Sequence, residues 1–378
     1  EMKDIDKKNG YPLYQQLKSS LISLIQSGKY KVGEKIPSTS SLCDKYDVST
    51  MTVRRAITDL ESEGYLKGLH GKGIYVNSTF DSDSYISQKV EIIGAVFPDY
   101  SEQNPFHIGL LKGIEELTSS MDFSLLVASS SKSHEKELKI LEDFRKKGVQ
   151  GVIITPNMGI KENSEIHNLL EKFCAESFPF VFIDLNVPDI AADYVTSDNL
   201  DGGYKAVRCL IELGHRNIGI IKRPGYSTLD SRFEGYMKAL DEFGISLNPE
   251  YIIDANNENE EDMSIGHRAT EQLLSLKKNR PTAIFGITDR ICTGIYKCLQ
   301  IKGIKIGEDI SVIGYDDSII AKSLYPALSS VRQPLEQMGA IATKLLLKRI
   351  MSHSIEIPKT FVLKNKLILR ESCGRLEK

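Results

Sequence analysis

The sequence predicts an α/β protein in two parts, an amino-terminal winged helix-turn-helix domain and a two-lobed body of doubly wound parallel sheets. Three observations carry this prediction. Residues 44–64 hold an amphipathic helix bracketed by turn signals. The residues after it read as a short β-hairpin. From residue 90 onward, continuous apolar strands alternate with helices in two successive series, the pattern of a parallel sheet covered on both faces.

In the head, Ser49 is placed to accept from a free backbone N–H of the first helical turn. Val53, Ala56, Ile57 and Leu60 follow at i, i+3, i+4 and i+7, one apolar stripe. Thr50, Met51, Arg54, Arg55 and Thr58 fall on the opposite side. That outer face mixes cations, hydroxyls and one soft apolar group, a set suited to phosphates and base edges. An ordinary solvated face, with Arg55 and Asp59 as an i,i+4 pair, is the competing reading. Upstream, Ser38 or Thr39 caps a short helix through Tyr46, and Asp47 and Val48 turn the chain into the second helix. Downstream, Gly64 stops the helix, and strands at 65–67 and 74–76 flank a His70-Gly-Lys-Gly73 turn. His70 and Lys72 then sit at the tip of a wing. The first helix is expected over 13–27.

Pro12-Leu-Tyr-Gln-Gln-Leu-Lys18, Ile25-x-x-Gly28, Gly33-x-x-Ile-Pro-Ser38, Val48-Ser-x-x-Thr-Val-Arg54 and His70-Gly-Lys-Gly73 occur in that order. This series resembles the winged helix-turn-helix of GntR-family repressors. The resemblance implies DNA contacts at Ser49, Thr52, Arg54, His70 and Gly71. The face described above adds Ser38, Thr50, Met51, Arg55 and Lys72 as candidates. Ser40 and Thr50 stand where that family often has Arg, which implies a different base preference.

Charge is divided unevenly. The net charge of −3 hides a head (1–80) with 12 Lys and Arg against 9 Asp and Glu, a balance of +3. The rest carries 36 against 42, a balance of −6. A weakly basic head on an acidic body fits local DNA contact rather than general binding of polyanions. The six cysteines lack Cys-x-x-Cys or Cys/His zinc spacing, so reduced thiols in a cytoplasmic protein are expected. No apolar run approaches the ~18 residues that span a membrane, no signal peptide is read at the start, and Glu1 ahead of Met2 reads as an appended residue.

The domains expected are 1–76 for the head, a polar Ser/Asp-rich linker at 77–89, and 90–378 for the body. First-series strands are expected at 90–98, 123–128, 151–155, 180–185 and 194–196. Second-series strands are expected at 217–221, 251–254, 283–288 and 310–315. The chain is expected to cross between lobes near 198 and near 320. Ligands in such sheets bind beyond the carboxyl ends of the strands. There the sequence places Phe106, Asp184, Arg232, Thr288, Asp289 and Asp316. Carboxylates and an arginine can hydrogen-bond a polyhydroxylated ligand, and an aromatic ring can cover its C–H face. Taken singly, each Asp could instead cap a helix, and Arg232 could pair with Asp230 or Glu234 at the surface.

Asn104-Pro-Phe-x-x-x-Leu-Leu-x-Gly-Ile-Glu115, Gly148-Val-x-Gly-Val-Ile-Ile154, Asp198-Asn-x-x-Gly-Gly203, Leu213-Gly-His-Arg-x-Ile-Gly219, Ser231-Arg-x-x-Gly-Tyr236, Arg280-Pro-Thr-Ala-Ile-Phe285, Ile313-Gly-Tyr-Asp-Asp317 and Gln333-Pro resemble the effector domain of LacI/GalR repressors. The match runs from about 90 to 370. The body is also similar to periplasmic sugar-binding proteins, so a periplasmic-binding-protein-like fold is implied. In that family the positions of Phe106, Asp184, Arg232, Asp289 and Asp316 line the sugar pocket. A GntR-type head on a LacI-type body resembles the arabinose repressors of bacteria. The resemblance implies a homodimer on a near-palindromic operator, released by a monosaccharide such as arabinose or fucose, with no cofactor, no metal and no membrane partner. Thr288 stands where that family has a polar Asn or Gly. Asn256 to Asp262 reads as a longer loop without the usual aromatic. Lys222 and Arg223 keep a phosphosugar or another small polar metabolite open as the effector. An enzyme is not expected, because the chain lacks a Schiff-base lysine context, a Ser/His/Asp nucleophile arrangement and a metal cluster.

Overall fold

A computed structural model describes residues 12–69, 72–77, 91–99, 105–162, 164–255, 261–352 and 357–376. The chain divides into two compact units, Glu1–Val90 and Glu91–Lys378.

The first unit is built from α1 (Leu13–Gln26), α2 (Thr39–Tyr46), α3 (Thr50–Ser62), β1 (Leu66–Leu69) and β2 (Gly73–Val76). Two caps start its central helices. The Ser38 hydroxyl accepts from Ser41 N–H at 3.3 Å, and the Ser49 hydroxyl accepts from Thr52 N–H at 3.2 Å. Asp47, in the left-handed region at φ 48°, makes the turn between α2 and α3. The apolar stripe of α3 is the inner face, with Val53, Ala56 and Leu60 fully buried and Ile57 nearly so. It packs with Leu17, Leu21 and Leu42. The wing strands pair antiparallel from Leu66↔Val76 to Leu69↔Gly73.

In the second unit the first lobe begins with β3 (Ile92–Phe97), α4 (Pro105–Ser120), β4 (Ser124–Ser129), α5 (His134–Lys146), β5 (Gly151–Ile154), α6 (Glu165–Ala175), β6 (Phe180–Ile183) and β7 (Asp193–Ser197). The chain then crosses to the second lobe. This comprises α7 (Asn199–Glu212), β8 (Ile218–Lys222), α8 (Ser227–Glu242), β9 (Ile252–Asp254), α9 (Asp262–Ser275), β10 (Ala283–Gly286), α10 (Asp289–Ile301), β11 (Ser311–Asp316), α11 (Ile319–Ser323) and β12 (Ser329–Arg332). It returns through α12 (Leu335–Ser352) and β13 (Thr360–Leu363), and ends in the second lobe with β14 (Lys366–Ile368).

The two sheets run β13-β7-β6-β5-β3-β4 and β14-β12-β11-β10-β8-β9. Every pairing is parallel except β12 with β14. Strand order reverses between β3 and β5 and between β8 and β10, which opens a crevice at the carboxyl edge of each sheet.

The expected crossing near 320 is corrected. Ala321 of α11 is buried in the second-lobe core, and the chain stays in that lobe through β12. It crosses instead at 333–334, between β12 and α12, and a third time at 364–365. β12 escaped the sequence reading because Ser329, Ser330 and Arg332 break its apolar run. Its serines are fully buried because their hydroxyls are bonded, Ser329 to Arg370 C=O and Ser330 to the Asp289 carboxylate.

Candidate effector cleft and DNA-binding face

The carboxyl edges of the two sheets bring together three of the expected residues. Asp184 ends β6 at φ 67°, and Asp316 ends β11 at φ 106°, so each carboxylate leaves its strand from a left-handed backbone. Arg232 projects inward from α8, 3% exposed, instead of pairing with acids at the surface. The α7–α8 contact explains its depth. A Cβ on Gly203 would lie 2.2 Å from Arg232 C=O, so only glycine lets the two helices approach this closely.

Arg232 is held by contacts from one lobe. Its Nε donates to Asn199 Oδ1 at 2.8 Å and its Nη1 to Ile287 C=O at 2.9 Å. Its Nη2 lies 3.5 Å from Asp316 Oδ1, and the guanidinium stacks 3.7 Å over the Tyr315 ring. Burial raises the Asp316 carboxyl above its ordinary range, with Arg232 pulling it back down. On the other side of the crevice, burial pushes Asp184 up to about 7, Arg232 lowers it and Asp316 raises it. These mutual influences place a first-lobe acid in the electrostatic field of a second-lobe arginine and acid. Asp184 Oδ1 is buried without a hydrogen-bond partner.

The other candidates are placed differently. Thr288 caps α10, its hydroxyl accepting from Ile291 N–H at 3.3 Å. Asp289 is buried, and both of its oxygens are engaged. Oδ2 accepts from Ser318 N–H and hydroxyl at 2.8 and 3.0 Å, and Oδ1 accepts from the Ser330 hydroxyl at 2.6 Å. Burial, then Asp316, pushes Asp289 up to about 8. Phe106 stands in the first turn of α4, edge-on to His107 and packed on the first-lobe core. None of the contacts found for Phe106 reaches Asp184 or Arg232.

Lys222 and Arg223 are already paired with acids. Lys222 Nζ lies 2.7 Å from Asp254, and Asp262 takes Arg223 at 2.7 Å and Arg290 at 2.9 Å. Of the loop 256–262, residues 256–260 lie outside the described residues, and Asp262 begins α9.

Sequence reasoning missed four polar residues at this edge. Asn157, 5% exposed, accepts from Ser130 through Oδ1, and its Nδ2 has no partner. Its backbone N–H donates to Glu137, whose carboxyl burial pushes up to about 7. Gln333 links Asp316 Oδ1 (2.8 Å) to the Ser197 hydroxyl (2.6 Å). Asn365 Nδ2 donates to Tyr315 Oη at 2.7 Å and Asp198 C=O at 2.9 Å, and Asn199 holds Arg232. The three crossing segments are thus bonded to one another and to the group around Arg232. Asp198-Asn, which holds Asn199, and Gln333-Pro were the sequence signals among these.

In the first unit, Met51 is 78% exposed, and Thr50 and Arg54 are exposed beside it. Arg55 does not pair with Asp59 among the contacts found. Its guanidinium lies 4.0 Å over the Tyr14 ring. Ser49 shares a 2.8 Å hydrogen bond with Thr52, and Thr50 lies 3.8 Å from the Cys43 thiol. Ser38 bonds Ser40. Lys72 is exposed at the wing turn, which its N–H closes onto Leu69 C=O. His70 and Gly71 lie outside the described residues.

The fold and these two sites define a DNA-binding transcription regulator with a ligand-cleft body. Residues 13–76 match the gntR family of bacterial regulatory proteins, and residues 207–373 match the periplasmic binding protein-like domain. The chain is 27% identical over 371 residues to the arabinose metabolism transcriptional repressor of Geobacillus stearothermophilus, covering 98% of this chain and 100% of that one. It is 33% identical to the ribose operon repressor of Haemophilus influenzae, over 72% of this chain and 79% of the relative. A solved LacI-family regulator from Enterococcus faecium with bound ribose matches at 28% identity and a TM-score of 0.64, over 76% of this chain and 100% of that chain. The protein belongs to the transcriptional repressors with a LacI-type, periplasmic-binding-protein-like domain, and its head matches the gntR family. No described helix is long and apolar enough to cross a membrane.

Proposed function

We propose that the protein is a sugar-responsive repressor that binds a near-palindromic operator as a homodimer and is released when a neutral monosaccharide draws the two lobes together. The observation that carries this reading is a first-lobe acid, Asp184, within electrostatic reach of second-lobe Arg232 and Asp316, with one carboxylate oxygen buried and without a partner. Asp184 Oδ1 accepts a sugar hydroxyl, and Asp316 and Arg232 offer the opposite wall. Phe106 covers a ring face. Thr288 and Asp289 brace the second wall from behind. A ligand touching both lobes binds their closed arrangement better, and only that differential affinity shifts the equilibrium. A neutral sugar fits better than a phosphosugar, because Lys222 and Arg223 are paired with acids. The names of the two relatives and the ribose complex favour a pentose.

On DNA, α3 enters the major groove with Thr50, Met51, Thr52 and Arg54 toward base edges. Ser38, Ser49, Arg55 and Lys72 face the backbone, and His70 and Gly71 join the DNA contacts by the gntR resemblance alone. One head reads one half-site, so two are needed.

The test is a pentose titration of the full chain on labelled operator. In the wild type, sugar releases the DNA. Asp184→Asn keeps operator affinity and loses at least tenfold in sugar affinity, about 1.4 kcal/mol. Arg54→Ala weakens operator binding by ~1–3 kcal/mol and relaxes preference at one base pair. Normal release in Asp184→Asn would overturn the cleft assignment. Equal affinity of Arg54→Ala for operator and scrambled DNA would overturn the assignment of α3.

A further inference from the structure

On the second lobe, the packing of α9 against α10 gathers three metal-ligating side chains that the cleft does not use. The two helices cross at a pair of glycines. A Cβ on Gly266 would lie 2.0 Å from Ile291 C=O, and one on Gly294 would lie 2.0 Å from Met263 C=O. That close approach continues one turn further along. His267 and Glu271, four residues apart on α9, share one face, and Cys298 comes from α10 four residues after Gly294. One donor atom from each of His267, Glu271 and Cys298 lies within 4.8 Å of the other two. We propose that these three residues form a binding site for a zinc-class divalent cation, tying α9 to α10.

The donor set is a soft thiolate, an imidazole and a carboxylate, which suits zinc and leaves a fourth position for water. Zinc bonds of about 2.0–2.3 Å require donors roughly 3.3–3.8 Å apart in a tetrahedron. His267 Nδ1 and Glu271 Oε2 now stand 4.0 Å apart, with side chains 29% and 50% exposed, so small rotations close the gap. Cys298 lies fully buried at the base. Solvent reaches the site past His267 and Glu271, which provides the entry path. The other carboxylate oxygen, Glu271 Oε1, lies 3.3 Å from Lys302 Nζ, so one oxygen is left for the metal while Lys302 competes for the group. Burial and Glu271 hold the Cys298 thiol above its ordinary range, and Lys302 opposes them. Zinc takes the thiolate form, so binding releases the thiol proton to solvent. The site lies outside the effector-cleft residues.

The experiment titrates the full-length protein with cobalt(II) and then zinc chloride, following the thiolate-to-cobalt charge-transfer absorption and the thermal midpoint. One cobalt per chain is expected, displaced by zinc, with a raised midpoint because the metal binds the folded state. Cys298→Ser should lose the charge-transfer absorption. His267→Ala and Glu271→Gln should each weaken binding at least tenfold. Lys302→Ala should strengthen it severalfold by freeing Glu271. His267→Ala alters a part-exposed side chain, so it decides the matter if Cys298→Ser fails to fold. Wild-type cobalt binding in either His267→Ala or a folded Cys298→Ser, or absence of the charge-transfer band in the wild type, would overturn the proposal.

Discussion

The two walls of the cleft are built in opposite ways. On the second-lobe wall, Arg232 is satisfied by Asn199, Ile287 C=O, Asp316 and the Tyr315 ring, and both oxygens of Asp289 are bonded. On the first-lobe wall, Asp184 Oδ1 and Asn157 Nδ2 are buried with nothing to bond. A buried polar atom without a partner costs roughly 1–3 kcal/mol. The first wall therefore stores unsatisfied bonding capacity, and the second is preorganised. A hydroxylated ligand gains most by docking on the second wall and satisfying the first as the lobes meet. The hinge shares in this, because Gln333 and Asn365 bond the crossing segments directly to Asp316 and Tyr315.

The strongest way to break this comparison is to remove the centre of the preorganised wall. Arg232→Ala leaves Asn199, Ile287 C=O and Asp316 without their partner, and should cost the second unit about 3–5 kcal/mol. Urea unfolding of the full chain measures this. Asp184→Asn, on the other wall, should cost less than about 1 kcal/mol near pH 7, because it removes no protein partner. Equal losses in the two variants would show that the walls do not differ.

The pH dependence of stability sharpens the contrast. Asp184 is raised from an ordinary 3.8 to about 7 by burial. Its stabilising contribution is full below its unfolded pKa and is lost as pH rises through the folded value. Between pH 5 and pH 8 Asp184 alone should remove about 2–3 kcal/mol. Asp289, raised to about 8, and Glu137, raised to about 7, act in the same direction. Thermal midpoints of the second unit should fall across this window, and Asp184→Asn should flatten the fall. A rise in stability from pH 5 to pH 8 would contradict the assigned environment of the first wall.

The smallest effect concerns the residues behind the second wall. Thr288→Ala removes the α10 cap and should cost ~1 kcal/mol in a thermal melt, with sugar-induced release of operator unchanged. Loss of release in a folded Thr288→Ala protein would place Thr288 in the ligand shell instead of the bracing layer.

Much of this architecture was legible because it is local. The α3 stripe of Val53, Ala56, Ile57 and Leu60, its Ser49 cap and the Asp47 turn depend on neighbours within a few residues, so periodicity and capping determined them. The apolar strands β3 to β11 were equally plain, as were the carboxylates at their ends, whereas β12, β13 and β14 were not. Only the tertiary structure decided the rest. β12 tolerates serines because distant groups bond their hydroxyls. Lys222 and Arg223 have no evident partner in the sequence, but Asp254 and Asp262 pair with them in the fold. Arg55 is claimed by Tyr14 across the head. Asp184 and Asp289 look alike as strand-end acids, and only partners far along the chain leave one unsatisfied and bond the other. Hydrogen-bond satisfaction depends on groups brought together by folding, and spacing along a chain does not encode it.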